Sequence, residues 1–448
     1  MLFKNYKQII ANGQNSDLQR KRKDALDILA SAIKAVNPYA AVKNMFDDRH
    51  SIVLDTETID TCSFDNIYLA GFGKASAGMA KAVCDSLSIK KGVIITNDPT
   101  VKKIDDNKVE VFVGGHPIPN KISIEGTERV IQLVDSCKEN DLLIVLISGG
   151  GSALLCKPRV SLKDLQQTTN LLLKSGADIN EINTIRKHIS HVKGGQLIKS
   201  ARCPIVSFII SDIIDDPIEF IASGPTSPDS TTFSDAKKVL KKYGLWNKIP
   251  YDVRWVIEQG IQRYIPETPK EDDPVFKNVF NYIVANNEAA CRAAYQKAQK
   301  LGYNPMILTT RLMGEARNAT MNLIERAKQH LYSKYDKTAL ISGGETTVTV
   351  KGHGLGGRNQ ELVLAAVEYI AGTDLLFISF ATDGIDGNSD AAGAIADGFT
   401  LRRAQNIGLD PRKFLEDNNS YEFFSKLKDL LITGPTGTNV MDIQLILR

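Results

Sequence analysis

Short apolar runs alternate with helical patterns along most of this chain. In the first half the runs are unbroken stretches rich in Val, Ile and Leu, and they lie at residues 67–71, 92–96, 109–113, 142–147 and 205–211. The segments between them, and residues 17–36 ahead of them, carry apolar residues at helical spacing. Apolar strands separated by helices are typical of a parallel sheet covered on both faces. The first half therefore predicts an open α/β domain.

A second alternation begins after a charged, proline-rich segment at residues 266–274. Its apolar runs lie at residues 281–285, 305–309, 337–341, 346–350 and 375–381. Because 448 residues exceed one ordinary core, we expect two domains joined by residues 266–274. The predicted boundaries are 1–265 for a Rossmann-like α/β domain and 266–448 for a second α/β domain. Both domains are expected to be open and mostly parallel, with the active site in the cleft between them.

Composition then narrows the class of protein. A net charge of +3 gives no basic field for nucleic acid or an anionic membrane. The basic run at residues 20–23 is interpreted as a solvated helix start rather than a nucleic-acid arm. The six cysteines form no C-x-x-C pair, and no apolar stretch approaches the ~20 residues of a membrane span. We expect a reduced, cytoplasmic protein whose partners are small molecules and which can form a homodimer.

The first chemical candidate is the loop at residues 71–78, Gly-Phe-Gly-Lys-Ala-Ser-Ala-Gly, between a predicted strand and a predicted helix. Gly71 and Gly73 match the first glycines of a dinucleotide-binding turn, but Ser76 stands where the third belongs. Lys74 supplies a cation that suits the neutralisation of phosphate. A surface lysine on a tight turn is the alternative. Lys74 is therefore a catalytic candidate, and Gly73 and Ser76 are candidate ligand contacts.

Glycines also follow the apolar run 142–147, in the sequence Ser148-Gly149-Gly150-Gly151-Ser152. Three consecutive glycines cost conformational entropy, so they seldom serve packing alone. Their N–H groups can form a nest for phosphate oxygens. A serine nucleophile is disfavoured because the spacing of a G-x-S-x-G elbow is absent. These five residues are predicted to bind an anion.

A third candidate is the segment 183–195, in which Arg186, Ser190 and Lys193 fall at helical spacing. They predict either a basic wall of the site or a solvated helix face. The histidines of this segment lack the third ligand that a metal site needs. His116, in a rigid loop after another strand, is interpreted as a hydrogen-bonded loop residue rather than a substrate contact. Arg186 and Lys193 are the predicted anion contacts here.

The most informative stretch is residues 340–362, where a strand pattern is followed by closely spaced glycines and an amphipathic helix. Arg358 stands at the start of that helix, where free N–H groups and a guanidinium both favour an anion. No Gly-Lys-Ser/Thr closes the loop, so it is not a Walker A motif. Arg358 is a catalytic candidate. The predicted ligand contacts of the stretch are Gly344, Glu345, Gly354, Gly356, Gly357 and Asn359.

Carboxylates at the ends of strands complete the candidates. Asp212 follows the run 205–211, and Asp383 follows the run 375–381. Carboxylates in such places hold Mg²⁺ near a nucleotide or activate a hydroxyl. Both are predicted metal ligands, and Asp212 is also a catalytic candidate. Which of the two orients the hydroxyl stays open, and a helix cap or Asx-turn is the structural alternative.

These motifs together resemble the class II glycerate kinases, whose second half is called the MOFRL domain. The matching segments are GFGKASAGMA at 71–80, GGHPIPN at 114–120, LISGGGSALL at 146–155, INTIRKHISHVKGGQL at 182–197, SDIIDDP at 211–217, IASGPTSPD at 221–229, ISGGETTVTVKGHGLGGRNQELVLAA at 341–366 and ATDGIDGNSDAAGAIAD at 381–397. They cover nearly the whole chain.

The resemblance implies an ATP-dependent kinase that converts D-glycerate to 2-phosphoglycerate with Mg²⁺. It also implies a MOFRL-type second domain, and it points to Lys74 and Arg358 as active-site groups. One alternative is an NAD(P)H-dependent hydroxypyruvate reductase, suggested by the near-Rossmann pattern that ends at Asp98. The other is a regulator that binds a nucleotide or phosphosugar without turnover.

Overall fold

Two six-stranded sheets organise the chain, each with helices packed against it. The computed structural model describes residues 1–48, 50–54, 58–105, 108–331 and 337–448. Contacts divide the chain into a central unit, residues 38–284, and a terminal unit, which joins residues 1–37 to residues 285–448. Strands and helices alternate in both units, which confirms the predicted α/β class.

The helices and strands are numbered in chain order. The helices are α1 (Tyr6–Ala11), α2 (Ser16–Ala35), α3 (Pro38–Lys43), α4 (Ser76–Cys84), α5 (Lys121–Ser136), α6 (Gly151–Leu154), α7 (Leu162–Ser175), α8 (Ile179–His188), α9 (Phe233–Lys242), α10 (Tyr251–Ile261), α11 (Asn287–Lys300), α12 (Ala316–Leu331), α13 (Arg358–Ala366), α14 (Thr400–Asn406), α15 (Pro411–Glu416) and α16 (Ser420–Leu427). The strands are β1 (Ile52–Val53), β2 (Thr58–Ile59), β3 (Ile67–Phe72), β4 (Lys91–Thr96), β5 (Val109–Val113), β6 (Leu142–Ile147), β7 (Ile205–Ile210), β8 (Val279–Ala285), β9 (Asn304–Leu312), β10 (Thr338–Gly344), β11 (Leu376–Ala381), β12 (Gly393–Asp397), β13 (Leu430–Leu431) and β14 (Asp442–Leu447). No described helix is long and apolar enough to cross a membrane.

The sheet of the central unit has the order β5-β4-β3-β6-β7-β8. β3 pairs in parallel with β4 and β6, and the pairs β4–β5 and β6–β7 are also parallel. Every residue of β3, β6 and β7 is buried, in line with their apolar composition. The order reverses between β3 and β6, and ligands of open α/β sheets bind beyond the carboxyl ends of the strands at such a point. The loops that follow these three strands carry Lys74, residues 148–152 and Asp212.

The sheet of the terminal unit is mixed, which corrects the expectation of a mostly parallel second sheet. Its order is β13-β12-β11-β14-β10-β9, and its parallel pairing is β9–β10. The other four pairings are antiparallel because β14 returns between β10 and β11, and a short loop without a helix joins β11 to β12. The strand predicted at residues 346–350 is wrong, since that segment contributes an isolated bridge from Thr347 to Glu315.

Helix α2 belongs to the terminal unit because a buried ion-pair cluster fastens it there. Arg22 is fully buried and lies 2.7 Å from Asp397 and 2.7 Å from Asp429. Arg403 approaches the second oxygen of Asp429 at 2.6 Å. The interpretation of residues 20–23 as a solvated helix start is therefore wrong for Arg22, and also for Lys21, which is 4% exposed. The same cluster explains why residues 1–37 group with residues 285–448.

The segment 266–274, expected to link the domains, instead packs within the central unit. Thr268 Oγ1 donates a hydrogen bond to Asp229 at 3.0 Å, and Lys270 Nζ donates to the carbonyl oxygen of Asp229 at 3.0 Å. The division between the units therefore differs from the predicted boundary at 265/266 and lies at 284/285. A proline-rich, charged composition does not distinguish a free linker from a loop held by buried hydrogen-bond partners.

We predict that Arg22→Met destabilises the protein by roughly 3–5 kcal/mol, because it leaves Asp397 buried without its ion-pair partner. Arg20→Met is the matched control, since Arg20 pairs with Asp17 on the exposed face of the same helix and such pairs contribute about 0–1 kcal/mol. Urea unfolding followed by circular dichroism measures both variants. Equal, small losses for the two would contradict a structural role for the buried cluster.

Candidate active site

Lys74 lies at the junction of two loops of the central unit. Its backbone N–H donates to the carbonyl oxygen of Gly149 at 2.9 Å, and the N–H of Ala75 donates to Ser148 Oγ at 3.1 Å. Gly73 has a φ of +122° and lies against Ser148, so a side chain there is excluded by strain and by contact. Ser76 Oγ donates to the carbonyl oxygen of Gly73 at 2.8 Å. The predicted contacts Gly73, Ser76 and Ser148 thus shape the loops that position Lys74.

The glycines after β6 let side chains from three segments converge. A Cβ atom on Gly149 would lie 2.2 Å from Asp212 Oδ2. A Cβ atom on Gly150, whose φ is +81°, would lie 2.9 Å from His116 Cδ2 and 3.2 Å from Lys74 Cγ. Gly151 lies against Ala222 in the same way. The close approach of Lys74, His116 and Asp212 therefore depends on residues without side chains, and His116, interpreted from the sequence as a loop residue, is part of the site.

Electrostatics at this junction favour a carboxylate that can exchange a proton. Burial raises the pKa of Asp212 to about 6, and the positive charge of Lys74 opposes that shift. Burial lowers the pKa of His116, and the charge of Lys74 adds to the effect. His116 is therefore neutral near pH 7, and Asp212 is ionised but able to accept a proton.

Two backbone donors of the glycine loop are available to a ligand. In the part of the chain that the structure describes, no acceptor takes the N–H groups of Gly149 and Gly150. Both glycines adjoin Lys74 through the contacts described above. Successive N–H groups beside a lysine make a concavity suited to phosphate oxygens.

Arg186 and Lys193 line a cavity of about 270 Å³ in the central unit. Helix α8 ends at His188, so the predicted helical face does not extend to Ser190 and Lys193, yet the chain returns Lys193 to the same cavity. His188 Nδ1 donates a hydrogen bond to the Thr184 carbonyl oxygen at 2.7 Å, and Nε2 lies 3.0 Å from a carboxylate oxygen of Glu267, so both ring nitrogens are engaged within the fold. The remaining lining residues are His116, Pro117, Ile118, Pro119, Gly150, Ser152, Ala153, Leu165, Gln166, Thr169 and Asn170.

In the terminal unit, Arg358 is held by two carboxylates. Its Nε and Nη2 atoms donate to the two oxygens of Asp442 at 2.6 and 3.0 Å, and Nη1 lies 3.0 Å from Glu345. Asp442 is 1% exposed and Glu345 is 42% exposed, so one partner is fixed and the other faces solvent. The sequence analysis missed Asp442. In the sequence, Asp442 is marked only as a single carboxylate that precedes an apolar run near the carboxyl terminus.

The glycines before Arg358 serve close packing as well as a groove. A Cβ atom on Gly354 would lie 2.3 Å from Asn419, one on Gly356 would lie 2.1 Å from Ser420 Oγ, and one on Gly357 would lie 2.4 Å from Asp386. These three glycines also line a groove of about 480 Å³ with Glu345 and Arg358. Gly344, predicted as a ligand contact, instead lies against the backbone of Leu312 with a φ of +135°.

The start of α13 is capped by a carboxylate of the protein itself. Asp386 accepts hydrogen bonds from the N–H groups of Asn359 and Gln360 at 3.0 and 2.9 Å. Asn359 is 1% exposed, and its Oδ1 accepts from Ser379 Oγ at 2.5 Å. Those backbone donors are therefore already satisfied, and the structure places Asn359 in packing behind the groove. The predicted anion contact at this helix start therefore falls to the Arg358 side chain rather than to these two backbone donors.

The two predicted metal ligands, Asp212 and Asp383, lie in different units. Asp383 Oδ1 accepts a hydrogen bond from the N–H of Ile385 within a turn. The pKa of Asp442 is raised chiefly by burial, and the negative charge of Asp383 adds to that effect. Within the described ranges, no group of three His, Cys, Asp or Glu residues is arranged to hold a metal ion. Mg²⁺ is commonly bound by one or two carboxylates together with substrate phosphates. Asp212 or Asp383 fits that mode, whereas a site built from protein ligands alone does not fit the described residues.

Comparison with known proteins agrees with this arrangement. Residues 24–258 match the family described as "Domain of unknown function (DUF4147)", and residues 338–442 match the MOFRL family. Glycerate 2-kinase of Pyrococcus horikoshii is 43% identical and covers 94% of this chain and 96% of its own. D-glycerate 2-kinase of Thermotoga maritima is 41% identical, with 95% and 98% covered. The crystal structure of glycerate kinase from T. maritima has a TM-score of 0.83, is 40% identical, and covers 95% of this chain and 98% of that chain. A protein of Agrobacterium vitis named as a hydroxypyruvate reductase is 38% identical, with 85% and 86% covered.

The raised pKa of Asp212 predicts a stability effect with a definite sign. A buried carboxyl whose pKa rises from 3.8 to about 6 on folding destabilises the folded state as pH increases through that interval. Asp212→Asn should therefore raise the melting temperature at pH 8, and the gain should shrink at pH 5. Asp65→Asn, at an exposed carboxylate of the same unit, is the control for the loss of one surface charge. A gain for Asp212→Asn that is equal at both values of pH would contradict the buried, titrating carboxyl.

Proposed function

The chain belongs to the family of glycerate kinases that carry a MOFRL domain, and from this premise we propose that it transfers the γ-phosphoryl group of ATP to D-glycerate and forms 2-phosphoglycerate. The observation that supports the chemistry most strongly is the junction of Lys74, Asp212 and the glycine loop 148–152. Phosphoryl transfer depends on positioning and charge compensation more than on covalent catalysis, and this junction supplies both.

In the proposed reaction Asp212 acts as the general base. The 2-hydroxyl oxygen of glycerate attacks the γ-phosphorus, the bond from that phosphorus to the bridging oxygen of ADP breaks, and the hydroxyl proton passes to the Asp212 carboxylate. A pKa of about 6 suits this role, because the group is ionised at neutral pH and accepts a proton with little penalty. Lys74 and the N–H groups of Gly149 and Gly150 compensate the negative charge of the transferring group.

Arg358 is proposed as the second cation of the reaction. Asp442 holds one edge of its guanidinium through two hydrogen bonds, which leaves Nη1 as the atom able to exchange partners. Exposed Glu345 is the group that an anionic ligand displaces there. The protein thus keeps the guanidinium oriented while one N–H group changes its acceptor. That acceptor is an ATP phosphate or the glycerate carboxylate.

Mg²⁺, which accompanies ATP in such reactions, would be held by Asp383 together with the phosphates when Asp212 acts as the base, and it would neutralise phosphate oxygens. If Asp212 held the ion instead, it would not be free to accept the proton. Three statements remain predictions: that one reaction uses residues of both units, that the protein is cytoplasmic, and that it can form a homodimer.

The hydroxypyruvate reductase alternative is disfavoured by the geometry of the first loop. Ser76 occupies the place of the third fingerprint glycine, and its hydroxyl is engaged by the carbonyl oxygens of Gly73 and Ile95. Asp98, the candidate ribose ligand, instead accepts hydrogen bonds from Thr100 in its own turn. A parallel assay separates the hypotheses: formation of ADP from ATP and glycerate supports the kinase, and oxidation of NAD(P)H by hydroxypyruvate without ADP formation overturns it. Tight nucleotide binding without turnover would favour the regulator.

We predict that Lys74→Ala and Arg358→Ala each lower kcat/KM about tenfold or more, since each removes a charged contact to an anionic ligand or transition state. Lys81→Ala, on the exposed face of α4, and Arg402→Ala, on the exposed face of α14, are the controls and should retain activity. Near-normal activity of either site variant, with the fold intact, would remove that residue from the mechanism. An increase in KM for ATP alone or for glycerate alone identifies the ligand of Arg358.

A pair of glycine variants tests the close approach at Gly150. Gly150→Ala and Gly176→Ala impose similar backbone strain, at φ values of +81° and +78°, but a Cβ atom on Gly176 meets nothing within 4 Å. Both variants should therefore lose a similar amount of stability, of order 1 kcal/mol. Gly150→Ala should in addition lower kcat/KM, because its Cβ displaces His116 and Lys74. Equal activity in the two variants would show that the position of those side chains is not critical.

A further inference from the structure

We propose that the cavity lined by Arg186 and Lys193 binds the carboxylate of the acceptor acid, with Arg186 as its principal ligand. This inference rests on the proposed function and deepens it, because it assigns the substrate subsite and the residues that select an anionic acceptor. The cavity lies wholly within the central unit, between α7, the loop at residues 116–119 and the segment 150–153.

The two cations that line the cavity, Arg186 and Lys193, have no counter-charge beside them among the described residues. Lys193 is 4% exposed, and its ammonium donates to the carbonyl oxygens of Ser152 at 2.7 Å and Leu155 at 3.0 Å. Among the described residues, no carboxylate lines the cavity and neither Lys193 nor Arg186 forms an ion pair. Lys187, one residue beyond Arg186, pairs with Glu219 and Asp229, so buried cations nearby do receive partners when they are structural. Burying a cation without a counter-charge costs free energy, and an anionic ligand would supply the missing negative charge.

The titration of the two groups agrees with this picture. Burial lowers the pKa of Lys193 to about 8, an effect that Cys156 opposes and the charge of Arg186 increases. Burial also lowers the pKa of Arg186. An anion bound between them would favour the charged forms of both.

A chain of hydrogen bonds leaves the hydroxyl oxygen of Ser152, a residue that lines the cavity, with free acceptor capacity. Ser223 Oγ donates its one hydrogen to Asn183 Oδ1 at 3.0 Å. Ser152 Oγ, 2.9 Å from Ser223 Oγ, must then be the donor to it. Ser152 also lines the cavity, and its hydroxyl oxygen, as the donor in this chain, keeps its lone pairs for a donor on a ligand. This arrangement suits a hydroxyl group on the same small molecule whose carboxylate meets Arg186.

The volume and the position of the cavity also fit a small acid. A volume of about 270 Å³ is at the lower limit of ligand pockets, which hold drug-sized molecules at roughly 300–1,000 Å³. Short-chain hydroxy acids fit this volume, and a whole nucleoside triphosphate does not. Gly150 lines the cavity and also adjoins Lys74, so an acid bound here extends toward the proposed reaction centre. Leu165 and Ala153 supply an apolar wall for its carbon chain.

Steady-state kinetics of Arg186→Met tests the assignment. The variant should raise KM for D-glycerate about 10- to 100-fold, the loss expected for one charged hydrogen-bonding partner, and leave KM for ATP within about twofold. Arg186→Lys should recover part of the affinity, because it restores charge without the planar fork. Arg202→Met, at an exposed arginine of the same unit, is the control for loss of one charge and should match the wild type. Thermal unfolding should show that Arg186→Met is no less stable than the wild type, since no residue that the structure describes loses a bond to Arg186.

Two outcomes overturn the proposal: an increase in KM for ATP instead of glycerate, or unchanged kinetics for both. If the wild-type protein does not phosphorylate glycerate, the proposed function fails, and calorimetric titration with D-glycerate alone still decides the inference. Binding by the wild type that is lost in Arg186→Met and partly restored in Arg186→Lys supports the subsite. Binding that is absent from the wild type, or equal in all three proteins, overturns it.

Discussion

The proposed chemistry depends on the close approach of two glycine-containing loops at the carboxyl ends of β3 and β6. The hydrogen bond from the Lys74 N–H to the Gly149 carbonyl joins them, and the absence of a side chain at Gly149 admits the carboxylate of Asp212. This contact lies where the strand order of a parallel sheet reverses, the position at which such sheets leave a crevice. The buried strands hold the loops in place. Because Gly149 and Gly150 have no side chains, Lys74, His116 and Asp212 can approach the same point.

The cations of the two units are supported in different ways. Arg358 is oriented by a buried carboxylate and keeps only its exposed partner exchangeable, which suits a group that must hold its direction during charge transfer. Arg186 and Lys193 share a cavity in which no described residue is a carboxylate, which suits the proposed binding of an anion. The contrast agrees with the roles proposed for these groups, because a cation that stabilises a transition state must be oriented, whereas a cation that binds an anion must lack a counter-charge of its own.

The sequence predicts those features that follow from local chemistry. Continuous apolar runs predicted the central sheet, and glycines at strand ends located Lys74 and the loop 148–152. Features that depend on distant partners were missed: Arg22 is buried because Asp397 and Asp429 reach it from far along the chain. β14 enters the middle of its sheet and makes it mixed, and its first residue, Asp442, becomes the partner of Arg358. No local pattern marks a residue whose role comes from a strand that returns from the far end of the chain.

The most direct test of the central claim is phosphorus NMR of the product formed from D-glycerate, ATP and Mg²⁺ by the wild-type protein. The account predicts a single new phosphomonoester that matches 2-phosphoglycerate, formed in step with ADP. A product that matches 3-phosphoglycerate would contradict the proposed attack by the 2-hydroxyl. Release of inorganic phosphate without a phosphomonoester would contradict glycerate as the acceptor.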